Sequence, residues 1–221
     1  MKVGVITFPG SNCDDDCIFA LEKNAECEVE TLWHKDTPSL GELDLIVLPG
    51  GFSYGDYLRT GAMAAVSPIM DSVKEYADKK GLVLGICNGF QILCESGLLP
   101  GALVRNQNQG FVCKDIELEI NHSNPWTSPL SAGALLCLPI AHGEGRYVVD
   151  PEKYEELDRK GQIIFRYKED INGSYERIAG ITNERMNVCG MMPHPERASD
   201  LRSRDGMKIW NAVRKMVEGK K

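Results

Sequence analysis

Residues 82–91 read LVLGICNGFQ. Leu82 to Ile86 form a run without a polar member, the mark of a strand buried on both faces. The run stops at Cys87, and Asn88-Gly89-Phe90-Gln91 opens a helix that extends to Ser96. A thiol at a strand-to-helix junction has two readings. It is a small apolar residue that packs well, or it is a nucleophile raised on a tight turn. Gly85 and Gly89 flank it at −2 and +2, which is the Gly-x-nucleophile-x-Gly pattern with cysteine in the place of serine. On such a turn the backbone N–H of Asn88 points at an oxyanion forming beside the sulfur, and the start of a helix favours a thiolate.

The alternation around this stretch decides the fold class. KVGVITF (2–7 and the Phe after it) reads as a buried strand, and Asn12 to Asp16 suit a helix start. CIFALEKNA continues as helix, and CEVETLW (27–33) and DLIVLPG (44–50) read as strands. TGAMAAVSPIMDSVKEYADKKG reads as helix broken near Pro68. Strands alternating with helices at this spacing imply βαβ units and a mostly parallel central sheet. After residue 110 the pattern changes. CKDIELEI, LLCLPIA, RYVV, IIFRYK, IAGITN and NVCGMM are short strand candidates, and Asn172-Gly173 is a hairpin-turn signal. The sheet is therefore expected to gain antiparallel strands in its second half, before helix returns in DGMKIWNAVRKMVEG. No repeat, low-complexity tract or linker interrupts the chain, so residues 1–221 are read as one domain.

Composition narrows the function classes. The 221 residues are 43% apolar and 26% charged, with a net charge of −7. That argues against a general nucleic-acid or anionic-membrane surface. The apolar run at the N-terminus ends at Pro9-Gly10, too short for a secretory signal or a membrane span, and the expected location is cytoplasmic. Eight cysteines stand at 13, 17, 27, 87, 94, 113, 137 and 189, without a Cys-x-x-Cys pair. A disulfide scaffold is not expected at this size. Cys13 and Cys17 share a helical face, but no metal site is expected.

A nucleophile needs a base. His34, in LWHKDTP, reads as a surface residue and His122, in INHSNPW, as a loop residue. His194 stands apart. NVCGMM leads into Pro193-His194-Pro195-Glu196, where the prolines favour extended backbone and residues two apart share a side. Glu196 is thus placed to orient His194. A solvated surface pair is the competing reading. At the end of the other strand that carries unusual residues, LPGGFSYGD, Gly50 and Gly51 would let backbone N–H groups approach a ligand.

Together the Gly-Gly loop, GICNGFQ and PHPE resemble the class I, or triad, glutamine amidotransferases. The resemblance covers essentially the whole chain. LPGGFSYGDYLRTGAMA, RNQNQGF, PIAHGEGRYV, NGSYERIAGITN and GMMPHPERA are most similar to the branch that serves purine biosynthesis. It implies a flavodoxin-like, three-layer α/β fold and a glutaminase with Cys87, His194 and Glu196 as its triad. The N–H groups of Gly51 and Asn88 would form the oxyanion hole. Gly50, Gln91, Asn106, Gln109 and Phe111 are candidate contacts to L-glutamine. The segment HGEG, with His142 and Glu144, and the segment SYGDYLR, with Tyr54 and Arg59, are candidate partner-contacting surfaces.

The resemblance further implies a large synthetase subunit that takes the ammonia and converts formylglycinamide ribonucleotide to the amidine, together with a small accessory subunit. No nucleotide-binding loop is recognisable in this chain. ATP and magnesium are therefore expected on the synthetase, with no cofactor here. Other triad amidotransferases would share the chemistry and differ in acceptor. A stand-alone flavodoxin-like cysteine hydrolase is disfavoured because Asn88, not histidine, follows the thiol.

Overall fold

The computed structural model describes residues 1–200 and 203–219. The first half is built from β1 (Lys2–Thr7), α1 (Asp14–Phe19), β2 (Glu28–Trp33), β3 (Leu45–Leu48), α2 (Ala62–Ala65), α3 (Ile69–Asp78), β4 (Leu82–Ile86) and α4 (Asn88–Glu95). The second half adds β5 (Ala102–Val104), β6 (Val112–Ile120), β7 (Leu135–His142), β8 (Arg146–Val148), α5 (Pro151–Arg159), β9 (Ile163–Tyr167), β10 (Ile178–Thr182), β11 (Val188–Met191) and α6 (Asp205–Glu218). The main sheet has the order β2-β1-β3-β4-β11-β10-β9-β6-β7, and β5 pairs with β8 separately.

Strands β2, β1, β3, β4 and β11 are mutually parallel, and β10, β9, β6 and β7 continue the sheet antiparallel. Burial follows this division. Every residue of β3, β4 and β11 is buried, as parallel strands covered on both faces require. In β7 inward and outward positions alternate, because only one face is covered. The mostly parallel sheet with antiparallel additions is the architecture read from the sequence. One detail differs. β11, late in the chain, does not extend the antiparallel edge but inserts beside β4 in parallel, Cys189 opposite Leu84 and Gly190 opposite Gly85.

Local signals placed most elements. Pro68 separates α2 from α3, as expected. Asn172-Gly173 does not make a two-residue hairpin: residues 168–177 connect β9 to β10, and the Asn172 amide donates to Gly145 O instead (2.8 Å). Helix α5 was not anticipated. Its apolar stripe is short, with Leu157 the only buried residue and Tyr154 partly buried three positions before it, although Asp150-Pro151 is a good helix start.

Helix α4 lies directly on β3 and β4. A Cβ on Gly89 would sit 2.0 Å from the Leu48 carbonyl oxygen, and one on Gly85 would sit 2.6 Å from Gly89 O. Only glycine permits this approach of helix to sheet. Gly89→Ala is expected to destabilise the fold by about 3 kcal/mol, at the upper end for overpacking against backbone. For a chain of this size that lowers the melting midpoint by roughly 6–12 °C, measurable by calorimetry.

Candidate active site

The parallel strands β1, β3, β4 and β11 end on one side of the sheet, and their loops meet there. After β4, Cys87 has φ 51 and ψ −104, a positive-φ conformation unusual for a non-glycine residue. Two backbone bonds hold it: Cys87 N–H donates to Met191 O (2.8 Å), and Cys87 O accepts from Gln91 N–H (3.2 Å). The residue is 5% exposed. The elbow read from the sequence is therefore present as a strained turn at the N-terminus of α4.

After β11, His194 donates its backbone N–H to Pro139 O (2.9 Å), and its Nδ1 lies 2.6 Å from Glu196 Oε1. Both side chains are essentially buried, at 2% and 0% exposure. The carboxylate accepts, so Nδ1 carries the proton and Nε2 is left without a hydrogen-bond partner. Burial opposes charge on this ring. The Glu196 carboxylate and the Cys87 thiol beside it outweigh that effect and raise its pKa well above the usual imidazole value. Helix α6 braces this loop. Its Trp210 indole donates to Ser199 Oγ (3.0 Å), which donates to Pro195 O (2.6 Å).

After β3, Gly51 adopts φ +143. The loop is tied by its neighbours: Phe52 N–H to Gly10 O, Tyr54 N–H to Pro9 O and Ser53 N–H to Asn88 Oδ1. Asn88 opens α4, so its own N–H has no acceptor within the helix. A Cβ on Gly50 would lie 2.7 Å from His194 Cε1 and 3.1 Å from Cys13 Sγ. Gly50 thus packs behind the histidine, whereas Gly51 lines the pocket in front of the thiol.

That pocket is about 290 Å³ and is lined by Gly51, Thr60, Cys87, Gln91, Phe111 and His142 among others. Gln91 is fixed: its amide donates to Glu144 O (2.5 Å) and its oxygen accepts from Asn88 Nδ2 (2.9 Å). Phe111 is 57% exposed at the rim. Asn106 is wholly buried beneath the pocket, and Gln109 is exposed and outside its lining.

Three histidine and tyrosine readings need correction. His142 is no surface residue but 3% exposed. Asn106 Nδ2 donates to Gly110 O and His142 O, so Asn106 Oδ1 accepts from Gly145 N–H and from His142 Nδ1. Burial, and then His194, depress the His142 pKa to about 4 and keep it neutral. His34 is also buried, its Nδ1 2.6 Å from Tyr54 Oη. Tyr54 in turn bonds Ser67 Oγ (2.9 Å), so its hydroxyl faces inward, not toward a partner. Arg59 does project outward, paired with Glu95 (2.5 Å). In each corrected case the sequence context is polar while the strand or loop turns the ring into the molecule.

Cys13 was missed as a site residue. It lies with His194 and Glu196 in a group whose ligating atoms are all within 4.8 Å, and Arg197 Nη2 donates to its sulfur (3.1 Å). Its companion in the sequence, Cys17, is fully buried in the core. Position 13 precedes α1, far from Cys87 in sequence, and no local pattern places it beside His194.

The arrangement has clear relatives. Residues 1–216 match the family described as CobB/CobQ-like glutamine amidotransferase domain. The phosphoribosylformylglycinamidine synthase subunit PurQ of Alkaliphilus metalliredigens is 52% identical over 224 residues, covering 100% of this chain and 99% of the relative. The protein of that name from Synechococcus sp. (strain JA-2-3B'a(2-13)) is 51% identical, covering 96% of each. A chain in the structure of PurLQS from Thermotoga maritima superposes with a TM-score of 0.89 at 43% identity, covering 98% of each chain. A glutamine amidotransferase from Thermotoga maritima, at 20% identity and a TM-score of 0.61, covers 100% of this chain and 85% of that one and shares the fold. The chain belongs to the CobB/CobQ-like glutamine amidotransferase family, and so to the class I amidotransferases that its motifs resemble.

Proposed function

We propose that this chain is the glutaminase subunit of phosphoribosylformylglycinamidine synthase, an ATP-dependent ligase of purine biosynthesis. The observation that carries the chemistry is the Cys87 elbow facing the buried His194–Glu196 pair. The full-length likeness to PurQ proteins carries the pathway.

Cys87 gives its thiol proton to His194 Nε2, and the thiolate sulfur attacks the carboxamide carbon of glutamine and forms a C–S bond as the C=O π pair moves to the oxygen. The N–H groups of Gly51 and Asn88 stabilise the tetrahedral oxyanion; one such donor is typically worth ~10²–10³ in rate. His194 gives its Nε2 proton to the nitrogen as the C–N bond breaks, and ammonia leaves behind a γ-glutamyl thioester. Water then attacks the thioester. His194 takes its proton, the C–S bond breaks and glutamate departs. Glu196 holds the ring in the working tautomer throughout. Gln91 and Phe111 shape the pocket for the substrate; Asn106 acts from below through His142, and Gln109 through Asn106 O (3.4 Å).

Residues 1–221 act as one amidotransferase domain in the cytoplasm. Among the described residues no helix is long and apolar enough to cross a membrane. The ammonia passes to a synthetase subunit, which holds ATP and magnesium, with a small accessory subunit completing the complex. The exposed side chains of Tyr57, Leu58 and Val66, at 74%, 89% and 83%, lie on the segment that also lines the pocket through Phe52, Asp56 and Thr60. That segment, with Arg59, supports a docking role for the synthetase. Glutamate formation is expected to rise when synthetase, ATP and formylglycinamide ribonucleotide are added, in step with amidine formation. Glutaminase activity indifferent to all three would remove the pathway assignment and keep the chemistry.

A further inference from the structure

His194 has polar neighbours on two sides, and the mechanism above uses only one of them. Glu196 Oε1 fixes Nδ1, and Nε2 has no hydrogen-bond partner. One bond at one nitrogen leaves the ring plane loose, because the outer torsion of histidine has a broad profile. The second neighbour is Cys13. Its sulfur belongs to the group in which the ligating atoms of Cys13, His194 and Glu196 all lie within 4.8 Å of one another. Sulfur and ring meet over Gly50, where a Cβ would stand 2.7 Å from His194 Cε1 and 3.1 Å from Cys13 Sγ. The missing side chain leaves the space that brings them together.

Cys13 is itself held at every polar group. Its N–H donates to Gly50 O (3.3 Å), and its carbonyl accepts from Cys17 N–H (3.0 Å) in α1. Its S–H donates to Asn12 Oδ1 (3.6 Å), while the sulfur accepts from Arg197 Nη2 (3.1 Å). The sulfur therefore presents lone pairs, not its proton, toward the ring. Arg197 Nε donates to Asp16 Oδ2 (3.1 Å), so that carboxylate offsets the guanidinium and little net charge is added beside the ring. Cys13 is 3% exposed and absent from the pocket lining, so it acts from behind the ring and not on the substrate.

We propose that Cys13 is a positioning residue for His194: its sulfur, clamped by Arg197, steadies the imidazole from behind so that Nε2 stays aimed at Cys87 and the departing nitrogen. The proposal rests on the glutaminase reading above and adds a second fixed contact to the one that Glu196 makes. The charged and titratable groups around the ring are Glu196, Cys87 at the start of α4, His142 at the end of β7, and Cys13 with its Arg197–Asp16 pair. Burial lowers the pKa of the ring, and Glu196, then Cys87, then Cys13 raise it. Loss of Cys13 therefore shifts the alkaline limb of the rate profile toward acid pH, by less than loss of Glu196 does.

The test measures glutamate formation in the assembled complex for Cys13→Ala, Cys13→Ser, Arg197→Met and the double variant Cys13→Ala/Arg197→Met. Co-elution with the synthetase and a melting midpoint within about 3 °C of the native one show that each variant is folded and assembled. Cys13→Ala is expected to lower kcat about 10–30-fold with KM within about twofold, since a small misplacement of a reacting group is costly while the substrate contacts stay. Cys13→Ser, which keeps an acceptor for Arg197, should regain most of that loss. The double variant should be no slower than Cys13→Ala, because both residues act through one sulfur. A native kcat and alkaline limb in Cys13→Ala, a KM that rises at constant kcat, or single losses that multiply in the double variant would overturn the proposal. Should Cys13→Ala fail to fold, a native kcat and limb in both Cys13→Ser and Arg197→Met would overturn it as well. A native complex that forms no glutamate would instead sink the glutaminase reading itself.

Discussion

Replacing Cys87 by alanine is expected to abolish glutamate formation, a loss on the order of 10⁶-fold, the scale seen when a covalent nucleophile is removed from a triad. The same complex should still form amidine from added ammonium ion at the native rate, because that reaction belongs to the synthetase. The geometry explains why no other thiol can substitute. Among the described cysteines Cys87 alone sits on the strained elbow at the start of α4, immediately before Asn88, whose N–H has no acceptor within the helix. Cys13 is also near His194, but it packs behind Gly50 and accepts a hydrogen bond from Arg197. The remaining cysteines lie outside the pocket lining. Measuring both glutamine- and ammonia-dependent synthesis separates a lost nucleophile from a lost complex. Retained glutamate production in the variant would contradict the role of Cys87.

Glu196→Gln is expected to reduce kcat/KM for glutamine about 10⁴-fold, as neutralising the acid of a triad does. The side chain is fully buried and its Oε1 makes the 2.6 Å contact to His194 Nδ1. An amide in its place either offers N–H to Nδ1, forcing the wrong tautomer, or accepts without charge. In both cases burial of the ring is no longer opposed by a neighbouring carboxylate. The sign of the pH effect follows. Glu196 raises the His194 pKa, so the native ring keeps its proton to higher pH. Without Glu196 the ring deprotonates at lower pH, and acylation, which needs that proton for departing ammonia, fails earlier. The alkaline limb of the kcat/KM profile should therefore move toward acid pH. An unchanged limb would show that Glu196 does not act on the charge of His194.

Much of this site is legible in the chain because its parts are strand ends. The all-apolar runs at 45–48 and 82–86 mark covered parallel strands, and Gly85-x-Cys87-x-Gly89 marks the elbow between β4 and α4. Pro193-His194-Pro195-Glu196 reads locally because two residues of spacing suffice to bring the carboxylate to the ring. What is lost to a linear reading is non-local. β11 pairs with β4 across about a hundred residues, and only that pairing carries His194 to Cys87. His142 lies at the end of β7, on the far edge of the sheet, yet the strand returns over the site: Ala141 O is 3.9 Å from Cys87 Sγ. The histidine in HGEG therefore looks like a turn residue and is a buried wall. Tertiary context overrides local polarity at each of these positions.

The central claim is that Cys87 carries the glutamyl group on its way to glutamate. The most direct measurement mixes the complex with glutamine, quenches in acid within the first turnovers and maps the cysteines by peptide mass spectrometry. A γ-glutamyl adduct on the peptide containing Cys87, and on none of the other seven cysteine positions, is the predicted result. Glutamate produced in the same samples with Cys87 unmodified, or with the adduct on another residue, would contradict it.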